Sequence, residues 1–493
     1  MNYTFDAGNR LRTAVDSISG TITRAYDDLN RLTSEGTPQG SVSYTYDNAG
    51  RRASLTVPGQ AVANYTFDNA NRLTQITQGT TTVSFGYDNA NRRTTLTLPN
   101  GVVTSYSYDG ASQLAGLTYS LGQTTLGNLS YAYDNVGRRN SVGGSYARTG
   151  LPNAVSQTAY NANNQLTTWG TANLFYDLNG NMTSSGTDGF TWDARNRMVS
   201  TLSGASFQYD AFGRRTSKTI GSTTTSFLYD GANPVQELSG TTVSANSLSG
   251  GIDEVFQRTD SAGARSFLTD ALGSTLALTD STGTTQTSYT FEPFGNTSAS
   301  GSATTNSFAY TGRELDGTGL YFYRARYYNP VLQRFISEDP LKYGGSGPNL
   351  YAYVANSPAD FSDPLGLATC DQTCKTQIAT LQDLFPGSSY DKTTNTMTIP
   401  QDYQTVLQTL QNGGYQEPPE VWTWNPFIYW DPIFHSGAEE FRLSVDNSSF
   451  HFGAKYPASP ICDPLFGCIS PPGPGRQEDQ ARRFSHRSAR PAV

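Results

Sequence analysis

The chain has 493 residues and a formal net charge of −8, and charged residues are only 15% of it against about 25% in ordinary globular chains. That balance gives no broad basic surface, which excludes a protein that coats nucleic acid by charge, and no apolar run approaches the roughly 18 residues of a membrane span. Gly (48 residues), Tyr (30) and Phe (24) are abundant instead, a composition of strands and turns rather than helices.

The N-terminus, MNYTFDAGNRL, has neither a basic n-region nor an apolar h-region and begins inside a repeat. It reads as the start of a piece of something longer. From there a unit recurs as aromatic, any residue, aromatic, Asp, small or polar residues, then Arg or Leu: YTFDAGNRL, YTYDNAGRR, YTFDNANRL, FGYDNANRR, YSYDGASQL, YAYDNVGRR, FTWDARNRM, FQYDAFGRR and FLYDGANPV. Asp6, Asp27, Asp47, Asp68, Asp88 and Asp109 follow one another at 20 or 21 residues. A fixed period of that size marks a repeat array in which each unit is one supersecondary element stacked on its neighbours.

Aromatics two apart, such as Tyr44 and Tyr46, fall on one face of a strand, and the Asp-Asn-Ala-Gly segment suits a tight turn, so each unit reads as a β-hairpin. Two readings of the Asp residues compete. They shape turns, or they bind calcium, as Asp177-Leu-Asn-Gly-Asn superficially suggests; the alternating oxygens and terminal Glu of a calcium loop are missing, which favours turns. The aromatic row is either core or a platform for stacking carbohydrate, and its regular spacing on one face favours core.

These units resemble the YD repeats of the RHS family, shared with teneurins and with the C component of insecticidal toxin complexes, and the resemblance covers most of residues 1–367. It implies a mainly β fold: YD hairpins in a continuous sheet that spirals into a shell. Between 155 and 202 the period is irregular, and Asn161 stands where Asp belongs; Asn serves the same turn. The expected organisation is 1–250 YD repeats, 251–367 repeat-associated core, 368–475 a small α+β effector-like domain and 476–493 a disordered tail. Residues 267–296 resemble the family's entry to the core, with Asp270, Leu272, Gly273 and Ser274 in pattern and Glu292 in place of a repeat Asp.

The core, GRELDGTGLYFYRARYYNPVLQRFISEDP followed by DPLGL, closely resembles the repeat-associated core of that family. The resemblance implies a self-cleaving aspartyl site with Asp339 and Asp363 as catalytic residues and the cut between Leu367 and Ala368. Two carboxylates brought close do not both ionise easily, so one holds a proton while the other activates water. Arg326 is the expected helper that orients an Asp or stabilises developing charge. Asp-Pro and Asp-Pro-Leu-Gly are also ordinary turn sequences, and that reading stands beside the protease. Lys342 replaces a usual Gly, with Asn329 and Gln333 where Asp and Gly are usual, and Lys342 is expected to depress the Asp339 pKa. Between the pairs, Gly344-Gly345 and residues 349–354 read as a turn and a strand of a plug-like core.

After Leu367 the period vanishes, as expected of the family's variable toxin domain. The tail carries nine Lys and Arg against thirteen Asp and Glu, no polyanion binder by charge. Residues 377–385 and the stretch from Pro400 read as helices, and FRLSV, DNSS and FHFGAKY as a hairpin. His435 with Glu439 and Glu440, and His451 on the hairpin, are candidates for a metal or acid–base site of a hydrolase or nuclease. Cys370, Cys374, Cys462 and Cys468 suit disulfides or zinc. No cofactor is expected. The partners expected are the tail itself as cargo, an immunity protein and carbohydrate, with nucleic acid only if the tail is a nuclease. The location expected is secreted or cell-surface. The competing function is a surface structural or carbohydrate-binding protein without enzymatic activity.

Overall fold

The computed structural model describes residues 1–342 and 348–367 in full, and six further strands between 389 and 468 by their backbone pairing. It is nearly all β, and the described residues contain no α-helix. Fourteen strands, from Asn2–Phe5 to Arg139–Gly143, form one antiparallel sheet in strict chain order; twelve more, from Phe190–Trp192 to Thr297–Gly301, form a second. The irregular repeats between them make only a three-stranded and a two-stranded sheet, so the ribbon is interrupted where the sequence loses its period.

The repeat turn explains its own consensus. In the unit around Asp47, one carboxylate oxygen accepts the backbone N–H groups of Ala49 and Arg51, both at 2.9 Å, and the other accepts Arg51 Nε at 2.7 Å. The residue three after the Asp must take positive φ, and it is Gly50 (φ 80) here and Asn9, Asn30, Asn71 and Asn91 elsewhere. Each such Arg then covers the next unit's second aromatic: the Arg31, Arg51 and Arg92 guanidiniums lie 4.6 Å from the ring centres of Tyr46, Phe67 and Tyr108. The Tyr before the Asp reaches back, Tyr46 Oη donating to Leu32 O at 2.7 Å and Tyr87 Oη to Leu73 O at 2.8 Å. The units are hairpins, and the consensus side chains are the glue between them.

The Asp carboxylates are thus engaged by turn amides and Arg, Asp177 included, whose oxygens accept the Asn179 and Asn181 N–H groups and Asn181 Nδ2. At Asn161 the turn persists, with Gln165 replacing Arg as the side-chain partner at 2.6 Å. The first aromatic of many units is core: Tyr44, Phe85, Tyr131, Phe207 and Phe227 are buried. The row is therefore packing surface rather than an exposed stacking platform.

The two large sheets lie against each other. Arg195 pairs with Asp16, Arg214 with Glu35, Tyr44 with Asp230 and Asn100 with Thr279, at separations of 179 to 186 residues that keep the same chain direction, and Tyr119 bonds the Thr269 carbonyl at a separation of 150. The common offset of those four pairs means that the second sheet follows the first as the next turn of one spiral ribbon. One apolar cluster joins them, with Val42, Ile76, Val83 and Leu117 from the first and Leu228, Leu268 and Ala277 from the second. The boundary expected at 250/251 falls between two paired strands of the second sheet, Thr242–Ser249 and Val255–Asp260.

Inside sits a four-stranded sheet, Glu314–Leu315, Tyr321–Tyr323, Arg326–Asn329 and Arg334–Phe335, packed through Tyr310, Tyr321, Tyr323, Tyr328, Phe335 and Tyr353. The strand expected over 349–354 is not formed: Val354, Ala355 and Asn356 all take positive φ in a 3-10 turn, which an extended strand cannot accommodate, while Tyr351 and Tyr353 still point inward. Gly344 and Gly345, both expected tail helices and the 476–493 tail lie outside the described residues. The expected tail hairpin is present, Phe441–Asp446 pairing with Ser449–Ala454. No helix among the described residues is long and apolar enough to cross a membrane.

Candidate active site

The strand Arg326–Asn329 is central in its small sheet, paired to Tyr321–Tyr323 on one side and Arg334–Phe335 on the other. Its first residue, 2% exposed, is wrapped by both Asp-Pro segments. Arg326 Nη2 lies 3.0 Å from Asp339 Oδ2 and 3.2 Å from Asp363 Oδ2. Nη1 donates to Leu350 O at 3.1 Å and Nε to Gly366 O at 2.6 Å, and the guanidinium carbon stands 3.6 Å from the Phe335 ring centre. A planar five-donor cation suits such a convergence of carboxylates, carbonyls and an aromatic face.

Each Asp also shapes its own turn. Asp339 Oδ1 accepts the Leu341 N–H at 2.9 Å, and the Asp339 N–H donates to Leu350 O at 2.9 Å. Asp363 Oδ1 accepts the Leu367 N–H at 2.8 Å. The turn reading and the paired-carboxylate reading therefore describe the same residues: the turns deliver the second oxygen of each carboxylate to Arg326. Gly366 has φ 69, and a Cβ there would lie 2.2 Å from the Tyr323 carbonyl oxygen, so the segment leading to Leu367 fits only with glycine. Leu367 itself is 1% exposed. Burial raises the Asp339 carboxyl above the usual range, and Arg326 opposes that shift without cancelling it.

Lys342 does not behave as its position suggests. Its ammonium sits 2.5 Å from Glu338 Oε2, and among the influences on Asp339 it is the weakest, so the expected depression is outweighed by burial. Its φ of 54 accounts for the usual Gly, as does φ 59 at Gln333. Asn329 replaces Asp without loss, its Oδ1 accepting the Val331 and Leu332 N–H groups, both at 3.0 Å.

The structure thus brings Asp339, Asp363 and Arg326 together beside Leu367. Ala368, His435, Glu439, Glu440, Cys370 and Cys374 lie outside the described residues, as does the side chain of His451, whose backbone pairs with Ser444. Cys462 and Cys468 are register partners on a short antiparallel pair. Sequence reading missed Arg324, whose Nη1 donates to the Pro364 carbonyl. Its position two residues before Arg326 was the available signal.

A spiral ribbon of Asp-capped hairpins, wound round an aromatic core that carries two buried carboxylates on one arginine, defines a YD-repeat β-shell protein. The chain belongs to the RHS/YD-repeat family: the teneurin YD-shell family model matches residues 1–148 and 103–356. Among curated proteins it is similar to the tRNA3(Ser)-specific nuclease WapA of Bacillus spizizenii, 29% identical over 255 residues, which is 48% of this chain and 11% of that one. It is also similar to the toxin protein Tse5 of Pseudomonas aeruginosa, 54% identical over 50 residues, 10% of this chain and 4% of that protein. The chain therefore spans about a tenth or less of these relatives. Among solved structures, the TcdB2-TccC3 crystal structure matches with a TM-score of 0.56 at 18% identity, over 73% of this chain and 26% of that one, which shows a shared fold.

Proposed function

We propose that this chain is the shell and self-cleaving core of an RHS-type polymorphic toxin, secreted or displayed at the cell surface, which cuts itself after Leu367 and so frees the C-terminal segment as an effector. The observation that carries this is the meeting of Asp339 and Asp363 on one Arg326 nitrogen, with Leu367 hydrogen-bonded to Asp363. Asp339, whose carboxyl burial raises, serves as the acid that donates a proton to the Leu367 carbonyl. Asp363 takes a proton from water, whose oxygen adds to the Leu367 carbonyl carbon. The bond to Ala368 then breaks, its nitrogen leaving with a proton as an amine while Leu367 becomes a carboxylate. Arg326 steadies the negative charge that passes between these groups. Because the scissile bond is tethered to the site, positioning replaces substrate affinity and a single turnover is enough.

The names of the relatives, a nuclease and a toxin, support an antagonistic role for the released segment, against competing bacteria or a host, with an immunity protein in the producer. The buried aromatic row gives no support to a carbohydrate-binding scaffold. Intact mass of the purified chain tests the proposal. Two products, ending at Leu367 and starting at Ala368, are expected, and one full-length species from Asp339→Asn and from Asp363→Asn. A wild-type chain that stays at full mass would sink it.

A further inference from the structure

The second Asp-Pro pair is held from the shell wall as well as from the core. Arg324 takes positive φ (55) and directs its guanidinium three ways: to the Pro364 carbonyl through Nη1, to Ala232 O at 3.2 Å through Nε and Nη2, and to Asp253 Oδ1 at 2.7 Å through Nη2. Ala232 and Asp253 are wall residues. The first lies in the turn joining Thr223–Asp230 to Asn233–Ser239, and the second in the turn joining Thr242–Ser249 to Val255–Asp260.

Asp253 stands at the positive-φ position of its turn (φ 62), where most units have Gly or Asn. It thereby adds a carboxylate to that place, and the side chain is 1% exposed between Arg324 and Arg313, with which it also pairs. Without it two buried guanidiniums would face each other with only Glu314, 3.6 Å from Arg313, to offset them. The first sheet touches the same loop independently: the Arg139 N–H donates to Asp360 Oδ1 and Arg139 Nη1 to Ala359 O, both at 2.6 Å.

We propose that the Asp253–Arg324–Pro364 link makes cleavage wait for the wall, with Asp253 as a positioning residue that acts through Arg324. The inference rests on the reading of Asp339 and Asp363 as a self-cleaving pair. Before the turns at 232 and 253 have formed, Arg324 has no anchor, the Pro364 carbonyl has no fixed donor, and Asp363 and Leu367 are not held against Arg326. When the second turn of the ribbon is complete, all are fixed together. The tail is then cut only from a chain whose shell wall has folded.

Timed cell-free synthesis of the full chain, stopped in denaturant, reads the first-order appearance of the 1–367 fragment. Asp253→Asn and Arg324→Lys are each expected to slow it at least tenfold, and the double variant to be no slower than the slower single one, since both break one link. Glu237→Gln, which breaks the Arg258 pair in the same sheet, is the structural control, expected to lower Tm comparably while cutting at the wild-type rate. Asp253→Asn cutting as fast as wild type, or slowed no more than Glu237→Gln, would overturn the link and leave the self-cleavage reading standing. An uncut wild-type chain would overturn both.

Discussion

The backbone N–H of Leu367 donates to Asp363 Oδ1 across 2.8 Å, so the carboxylate proposed to activate water is bonded to the residue whose carbonyl is attacked. Arg326 holds the same geometry from the other side, and Lys cannot replace it, because one ammonium cannot serve two carboxylates and the carbonyls of Leu350 and Gly366 together. Arg326→Lys is expected to slow cleavage about a hundredfold or more, equivalent to about 2.7 kcal/mol in the barrier. Fragment yield on denaturing gels against time after synthesis checks this.

The pH dependence follows from Asp339. Its folded carboxyl is raised above the ordinary Asp value, chiefly by burial. The protonated acid therefore survives to higher pH than an ordinary Asp, and is lost as pH rises through the raised value. Self-cleavage is expected to fall along a basic limb that lies above the normal carboxylate range. Rates across buffers from weakly acidic to neutral test it, and a limb at the normal Asp pKa would contradict the assignment.

Glu35 behaves in the opposite sense. Burial pushes its carboxyl up, but Arg214 and Arg24 together draw it down from 4.5 to about 2. A depressed folded pKa stabilises the protein above the unfolded value, and that stability is lost as pH falls from about 4.5 toward 2, to a total of roughly 3 kcal/mol. Since Arg214 belongs to the second sheet and Arg24 to the first, acid should part the two turns of the ribbon at this place. Urea unfolding between pH 2 and 5 is expected to show the slope in wild type and a shallower one in Glu35→Gln.

Lys342 carries a left-handed backbone on a side chain that is 59% exposed and, among the described residues, paired with Glu338. Lys342→Gly is expected to relieve about 1 kcal/mol of strain, offset in part by the greater freedom of an unfolded glycine, while leaving the cleavage rate within twofold. A raised or unchanged Tm with normal cutting agrees; a cleavage loss of tenfold would show that Lys342 tunes Asp339 after all.

Much of this was legible in the chain. Alternating aromatics, an Asp, and Gly or Asn three residues later give strand, turn and hairpin because each answers to a local rule: burial on one face, amides capped by a carboxylate, a backbone at positive φ. The meeting of Asp339, Asp363 and Arg326 was legible only through a long family-like motif, since spacing alone cannot say that turns 24 residues apart share one guanidinium. What local rules could not give were the ties between ribbon turns, such as Tyr44 to Asp230 and Arg93 to Glu254, which depend on how far the ribbon curves per strand. Residues 349–354 misled for a related reason. Tyr351 and Tyr353 alternate like a strand because both fill the core, yet the backbone after them turns left-handed to bring the second Asp-Pro pair home.

The similar offset between facing residues of the two sheets makes the array intolerant of changes in copy number. Losing one whole hairpin between Asn100 and the second sheet would leave every remaining turn and cap intact, yet it would shift the partners of Asp16, Glu35, Tyr44 and Asn100 out of step by about 20 residues. Individual repeats can drift in sequence, as Asn161 and Glu292 show, but their number per turn of the ribbon is set by the partners they must meet on the next turn.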